Sequence, residues 1–167
     1  PMNRVDVAHP PPALSSRQMN NDANNDQRPA TEQFLTKATA EPAEARERGG
    51  PSEELAIELA RLFHDDKCTD VVVLDVRGMS PLTDYLVVGS GTSERQMASV
   101  LEHAVEIVES RGGQAFGVTK DAGTLWLIAD FVDVVAHLFE PNTRAVYDLE
   151  MLWGDARRVE WERAEKA

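Results

Sequence analysis

The sequence predicts a mixed α/β fold in which a five-stranded sheet is flanked by helices. Runs of β-branched residues alternate with segments whose apolar residues recur at helical spacing. The predicted order along the chain is α-β-β-α-β-β-β-α. Because a helix separates some consecutive strands and short turns separate others, we expect both parallel and antiparallel neighbours in one sheet.

The first helix is predicted to begin at Ser52, a suitable N-cap, with Glu53 and Glu54 in the first turn, where the helix dipole favours acids. Its apolar positions are Leu55, Leu59, Leu62 and Phe63. The β-branched run at 71–76 predicts a buried strand, and residues 84–89 predict a second strand.

The second helix is predicted to follow Ser93, which stands in capping-box spacing with Gln96. Its apolar face consists of Met97, Val100, Leu101, Ala104, Val105 and Val108. The pair Gly112-Gly113 favours termination of this helix.

Three further strands are predicted at 115–118, 124–130 and 134–139, the first two joined by a turn at 121–123. In the middle strand of the three, Trp126 and Asp130 point to one face and Leu127 to the other. Both faces are apolar, which predicts a central strand. Trp126 then either fills the core or lies at the rim of a surface where a partner packs.

The last helix is predicted to run from Glu140-Pro141 to Gly154, since proline suits the first helical position. Its apolar stripe consists of Val146, Leu149, Leu152 and Trp153. This stripe favours packing onto the sheet. The alternative is that the same helix contributes to a docking or dimer surface.

The ends of the chain differ from the domain between them. Residues 1–50 contain a triple proline and an Asn-rich run but few large apolar residues, so we expect a disordered N-terminal extension. The domain is predicted to span 51–154, and 155–167 are predicted to form a flexible tail.

Charge narrows the class of partner. Residues 51–154 carry 18 acidic and 7 basic side chains, a net charge of −11. Proteins that bind nucleic acid neutralise phosphates with Lys and Arg. We therefore expect a basic protein surface as the partner, with little direct contact to RNA.

The chain has no run of about 20 apolar residues of the kind that spans a membrane, and residues 1–50 are too acidic for a transit peptide. The single cysteine, Cys68, excludes an internal disulfide. A cytoplasmic protein without membrane contact is expected.

Four segments carry a family resemblance: LDVRG, SPLTDYLVVGSGTSERQ, WLIADFVDVVAHLF and NTRAVYDLEMLWGD, all between residues 74 and 154. They resemble the ribosomal silencing factor (Iojap-like) family. The resemblance implies a fold related to nucleotidyltransferases. It also implies binding to the large ribosomal subunit through its fourteenth ribosomal protein, a steric block of subunit joining, and homodimers.

The resemblance also implies the residues that bind the partner. Carried over motif by motif, they are Tyr85, Trp126, Asp130, Asp133 and His137. Where the family commonly has a glycine, this chain has Val132. If that position requires a positive φ, a β-branched residue there is strained.

Two other functions stay open beside this one. A factor that guards an immature large subunit would use the same contact at a different time. A metal-dependent nucleotidyltransferase would use the Gly-Ser turn at 89–93 with clustered carboxylates.

The residues favour no enzyme. Asp130 and Asp133 stand three residues apart across a predicted turn, and Arg95 is alone near the Gly-Ser turn. The histidines have no metal-ligand spacing with one another or with Cys68. We expect neither catalysis nor a cofactor or metal.

Overall fold

A computed structural model describes residues 49–119 and 125–164. Within these residues, six strands form one mixed sheet in the order β3-β4-β5-β2-β1-β6. The strands are β1 (Thr69–Asp75), β2 (Tyr85–Ser90), β3 (Gly117–Thr119), β4 (Trp126–Asp130), β5 (Val134–Phe139) and β6 (Arg157–Arg158). Among these six described strands, only β2 and β5 pair in parallel. The predicted fold class is confirmed, with one strand more than expected.

In the described ranges four helices accompany the sheet: α1 (Pro51–Asp65), α2 (Glu94–Ser110), α3 (Pro141–Tyr147) and α4 (Leu149–Leu152). The Ser93 side chain caps α2 by accepting from the Gln96 amide at 3.1 Å, as predicted. The N-cap of α1 is Gly50, two residues before the predicted Ser52, because Pro51 occupies the first helical position. None of the helices in the described ranges is long and apolar enough to cross a membrane.

The sheet has an apolar core on each side. Helices α1 and α2 cover the first side, here called the α1–α2 face, through residues such as Leu59, Phe63 and Leu101. The second side, the α3–α4 face, contains Leu74, Val76, Leu86, Val88, Trp126, Ile128, Val135 and Phe139, with Leu149 of α4 packed among them. The strands alternate between these two cores, as the period of two requires.

The last helical region differs from the single helix predicted to Gly154. Asp148 has a left-handed backbone (φ 40°) and separates α3 from α4, and its side chain caps α4 by accepting from the Met151 amide at 3.2 Å. The break rotates α4 relative to α3, so the apolar stripe does not continue along one face. Leu149 is buried as predicted, whereas Val146 and Leu152 are exposed.

The C-terminal segment is part of the fold up to the last described residue, which differs from the flexible tail predicted at 155–167. Strand β6 pairs with β1, and Val159 is buried in the core of the α1–α2 face. The Trp161 indole donates to the Val71 carbonyl at 3.1 Å, and Arg61 donates to the Trp161 carbonyl at 2.8 Å. These contacts close the outer edge of β1. Residues 1–48 of the extension predicted at 1–50, and the turn predicted at 121–123, lie outside the described residues.

Candidate docking surface

Trp126 is buried at the start of β4, on the α3–α4 face. Its ring stacks on Phe139 at a centroid distance of 4.6 Å, and Tyr147 of α3 lies over it at 4.7 Å. Of the two positions predicted for Trp126, the structure shows the core. Its solvent side is taken by Tyr147, which is half exposed.

His137 on β5 is fully buried beside Trp126 and accepts from its indole N–H at Nδ1, at 3.2 Å. Burial lowers the pKa of His137 to about 3, although the nearby Asp130 carboxylate opposes this effect. The ring is therefore neutral at physiological pH, and its proton is on Nε2 because Nδ1 is the acceptor. His137 is a structural partner of Trp126.

Tyr85 lies on the other side of the sheet and is also buried. Its hydroxyl donates to Glu53 Oε2 at 2.9 Å, and the Arg77 guanidinium stands 5.0 Å from the ring centroid. Burial and the bond to Glu53 raise the pKa of Tyr85 above its usual range.

Arg77 and Asp75 form the centre of a small ion-pair network at this end of the sheet. Arg77 bonds Asp75 at 2.7 Å, and Arg157 of β6 adds a second contact at 3.1 Å. The bond from Arg77 outweighs burial and holds the pKa of Asp75 at about 2. The network ties the ends of β1 and β6 to α1 through Glu53.

The two predicted carboxylates of the β4–β5 turn have different neighbours. Asp130 follows the alternation of β4 onto the α3–α4 face, where its charge acts on His137. Asp133 accepts from the Ser52 hydroxyl of α1 at 3.3 Å, on the opposite side. The structure therefore does not gather the five predicted residues into one site.

Between these carboxylates, Val132 has a left-handed backbone (φ 74°). The Asp130 carboxylate accepts from the Val132 amide at 2.9 Å, and the Asp133 amide donates to the Phe131 carbonyl at 3.1 Å. The positive φ considered for the glycine position of the family is present here with a β-branched side chain.

Four large apolar side chains on α3 and α4 are exposed to solvent and form what we call the α3–α4 patch. The exposed fractions are 79% for Val146, 51% for Tyr147, 79% for Met151 and 59% for Leu152. Exposed apolar side chains that cluster on neighbouring turns of the chain are candidates for an interaction site in a soluble protein. Trp126 and Leu149 support the patch from beneath.

The surroundings of the patch are acidic. Glu140, Asp148, Glu150 and Asp155 lie in or beside α3 and α4. The one basic residue of this stretch, Arg144, is mostly buried, pairs with Glu150 at 2.9 Å and donates to Ser90 at 2.9 Å. Arg144 therefore anchors α3 to the end of β2, and no cation of residues 140–155 offsets the acids at the surface.

The predicted site missed this patch because a continuous helix would have buried it. Asp148 was the available signal: aspartate tolerates a left-handed backbone and is a preferred N-cap, so its place within the stripe indicates a break. The alternative of a docking or dimer surface for this helix pointed to the same segment and to two of the four patch residues, Val146 and Leu152.

The Gly-Ser turn before α2 is engaged within the protein. The Thr92 amide donates to Gln96 Oε1 at 2.7 Å, and the Gln96 amide donates to Ser93. A Cβ on Gly91 would lie 2.3 Å from Met97 Cγ, so the glycine permits close packing of the turn on the helix. The turn is thus occupied by its own capping contacts, as the sequence predicted for Ser93.

Comparison with known proteins places the chain in a family. A family model described as "Ribosomal silencing factor during starvation" matches residues 50–167. The ribosomal silencing factor of Halalkalibacterium halodurans is 34% identical over 98 residues, 59% of this chain and 84% of that protein.

Two further matches bear on function and fold. A Mus musculus protein named mitochondrial assembly of ribosomal large subunit protein 1 is 30% identical over 118 residues, 66% of this chain and 52% of that protein. A crystal structure of a Chromobacterium violaceum protein has a TM-score of 0.55 at 29% identity, covering 69% of this chain and 93% of that one. The family match runs from α1 through β6, beyond the predicted limit at 154. The chain belongs to the ribosomal silencing factor family.

Proposed function

We propose that this protein binds the large ribosomal subunit and sterically blocks its association with the small subunit, thereby repressing translation. Family membership supports a role on the ribosome. The name of the mouse relative refers to the large subunit, which supports that subunit as the target. The protein would then act in the bacterial cytoplasm, where subunits join.

The α3–α4 patch is the observation that supports the proposed docking site. Its exposed apolar side chains supply area that gains free energy on burial, at about 25 cal/mol per Å². The surrounding carboxylates favour a partner with Lys and Arg at the rim of its own surface. A basic ribosomal protein fits both features, and the family resemblance points to the fourteenth protein of the large subunit.

The predicted site residues take supporting or peripheral positions in this proposal. Trp126, hydrogen-bonded to His137, supports Tyr147 from beneath. Asp130 lies at the other end of β4, roughly 13 Å from Trp126. A standard interface buries about 800 Å² per partner, which is wide enough to include both the patch and Asp130. Tyr85 and Asp133 stabilise the scaffold on the α1–α2 side.

Blocking the association of the two subunits requires no catalytic step. A domain of about 100 residues has a radius of gyration of about 13 Å, so it is a rigid body roughly 30 Å across. Such a body on the joining surface of one subunit excludes the other. A homodimer through the same patch would compete with ribosome binding, because both would bury the same residues.

The test is subunit joining followed by light scattering at moderate Mg²⁺ with purified ribosomal subunits. The unaltered protein is expected to suppress the scattering rise and to sediment with the large subunit alone. The Val146→Asp/Met151→Asp double variant should lose at least tenfold in affinity, since two charges would be desolvated at the interface.

Ser110→Asp is the matched control, because it adds a charge at an exposed position of α2 on the other side of the sheet. It should bind as the unaltered protein does. Undiminished binding by the double variant would reject the patch, whereas normal subunit joining with the unaltered protein would reject the function itself.

The name of the mouse relative favours a second candidate, assembly of the large subunit. Binding measured on immature and mature large subunits separates the two functions. An assembly factor should prefer immature particles, whereas a silencing factor should bind mature subunits at least as well.

A further inference from the structure

Most cations in the described part of this acidic chain are neutralised by nearby carboxylates. Arg77 and Arg157 pair with Asp75, Arg111 with Glu58, Arg144 with Glu150, and Arg163 with Asp65. Arg61 donates to the Trp161 carbonyl. The remaining three, Lys67, Arg95 and Arg158, have no carboxylate of the described residues within ion-pair distance. Two of these three line the same groove.

This groove lies between the end of α1 and the start of α2 and has a volume of about 510 Å³. Besides Lys67 and Arg95, its lining includes the hydroxyls of Ser93 and Ser99. The hydroxyl hydrogens rotate freely and can donate to an anion. The groove therefore presents two full positive charges and two neutral donors to solvent.

The acids of the groove are already engaged. Asp66 bonds His103 Nδ1 at 2.7 Å, and Asp65 accepts two bonds of 2.8 Å from Arg163. The bond to Asp66 raises the pKa of His103, so the pair approaches neutrality as the imidazole becomes charged. The two acids that line the groove are thus each bonded to a basic side chain, which leaves the charges of Lys67 and Arg95 available to a ligand.

We infer that the groove of Lys67 and Arg95 binds phosphate groups of an RNA backbone. Lys and Arg bind phosphate by charge without reading base identity, so the contact is independent of sequence. The groove is open, and the one aromatic side chain in its lining, His103, is held by Asp66, which favours a backbone over an enclosed free nucleotide. This local contact adds to the acidic docking surface, where RNA is repelled.

The two surfaces lie on different sides of the molecule. The groove belongs to the α1–α2 layer, and the α3–α4 patch lies beyond the sheet. One protein can therefore touch a basic ribosomal protein with the patch and an RNA backbone with the groove at the same time. Only the ribosomal source of the RNA depends on the proposed function.

The test uses the isolated full chain and a fluorescein-labelled single-stranded RNA of mixed sequence, followed by fluorescence anisotropy. Two phosphate contacts give a salt slope of about −1.4, so binding should weaken about sevenfold between 50 and 200 mM salt. The Lys67→Gln/Arg95→Gln variant should bind at least threefold more weakly at 50 mM salt and show a shallower slope.

Arg158→Gln is the control, because Arg158 is another exposed cation without a carboxylate partner and lies on β6, outside the groove. It should leave RNA binding nearly unchanged, and thermal melts should show that all variants are folded. An equal loss of RNA affinity in the control and in the double variant would overturn the inference. Absence of RNA binding by the unaltered protein would overturn it as well.

A competition arm distinguishes the source of the phosphate. ATP and inorganic pyrophosphate should displace the RNA only at concentrations well above that of the RNA phosphates. Displacement at lower concentrations would overturn the inference that the groove binds an RNA backbone. It would show instead that the groove binds a free nucleotide or phosphate. Because no ribosome is present, failure here leaves the result of the subunit-joining test untouched.

Discussion

Val132 occupies a backbone conformation that usually belongs to glycine. Left-handed conformations cost β-branched residues about 1–3 kcal/mol, and they persist only where neighbouring contacts hold them. Here the Asp130 carboxylate holds the Val132 amide, and Phe131 is buried on one side of it. The strain could be foreseen from the glycine of the related family, but the φ itself depends on how β4 and β5 pair.

Replacing Val132 by glycine should raise the free energy of unfolding by about 1 kcal/mol, because the strain is relieved in the native state and only partly offset by added entropy in the unfolded chain. Urea denaturation measures the change. Val132→Ala is the control, since it keeps a Cβ at the same φ and should recover little of this gain. A glycine variant no more stable than the alanine variant would show that the turn is not strained.

Asp75 is the residue whose ionisation contributes most plainly to stability. It is buried and bonded to Arg77 and Arg157, and its pKa of about 2 lies below the value of about 3.9 for an unfolded chain. Because the folded pKa is the lower one, the contribution is present above the unfolded pKa. It is lost as pH falls through the window between the two values.

The stability difference between the unaltered protein and Asp75→Asn should therefore narrow by about 1 kcal/mol between pH 5 and pH 3. Urea unfolding at both pH values tests this, since other carboxylates titrate in both proteins and cancel in the difference. Asp155→Asn, at an exposed position, is the control: its free energy of unfolding should equal that of the unaltered protein at both pH values. If the difference in free energy of unfolding between the two proteins stays constant with pH, ionisation of Asp75 does not contribute to stability.

At the scale of elements, the long periodic segments were predicted well and the short ones were not. The limits of β5 are the predicted ones, and α2 begins after its Ser93 cap. Strand β6 has only two residues, both arginines with exposed side chains, so neither alternation nor hydrophobicity marks it in the sequence. Its place is set by pairing with β1 and by the burial of Val159, which are tertiary contacts.

Val159→Ala should lower the free energy of unfolding by about 2 kcal/mol, because it removes buried methyl groups from the core of the α1–α2 face. Arg158→Ala, one residue earlier and exposed, should change it by less than about 0.5 kcal/mol. Thermal and urea denaturation give both values. Equal and small effects would mean that this segment is not held against the domain in solution.

At the scale of the whole molecule, the sequence predicted the class of fold and the acidic character but not the outline of the site. Trp126 and Asp130 were correctly placed on one side of the sheet, since alternation within a strand needs no tertiary information. The choice between core and rim for Trp126 could not be made from the sequence, because Tyr147 covers Trp126 only after the chain turns at Asp148. The exposed patch is a product of that same turn.

The distribution of charge also emerges only in three dimensions. The sequence shows an acidic domain, whereas among the described residues the fold places Arg77, Arg111, Arg144, Arg157 and Arg163 in ion pairs and leaves two cations beside one groove. A long-range preference for basic partners can then coexist with one short-range contact to phosphate.

The parallel pairing of β2 with β5 bears on how the chain folds during its own synthesis. Strand β2 cannot pair with β5 until the chain from Val134 onward has been synthesised. The outer edge of β1 stays unpaired until Arg157 and Arg158 have been synthesised. Pairings so distant along the chain form slowly, because loop closure must precede them. While β4 and β5 are still inside the exit tunnel, Leu86 and Val88 lack most of their apolar neighbours. In the proposed role, the nascent protein therefore cannot dock on a ribosome until β5 and β6 have left the tunnel of the ribosome that makes it.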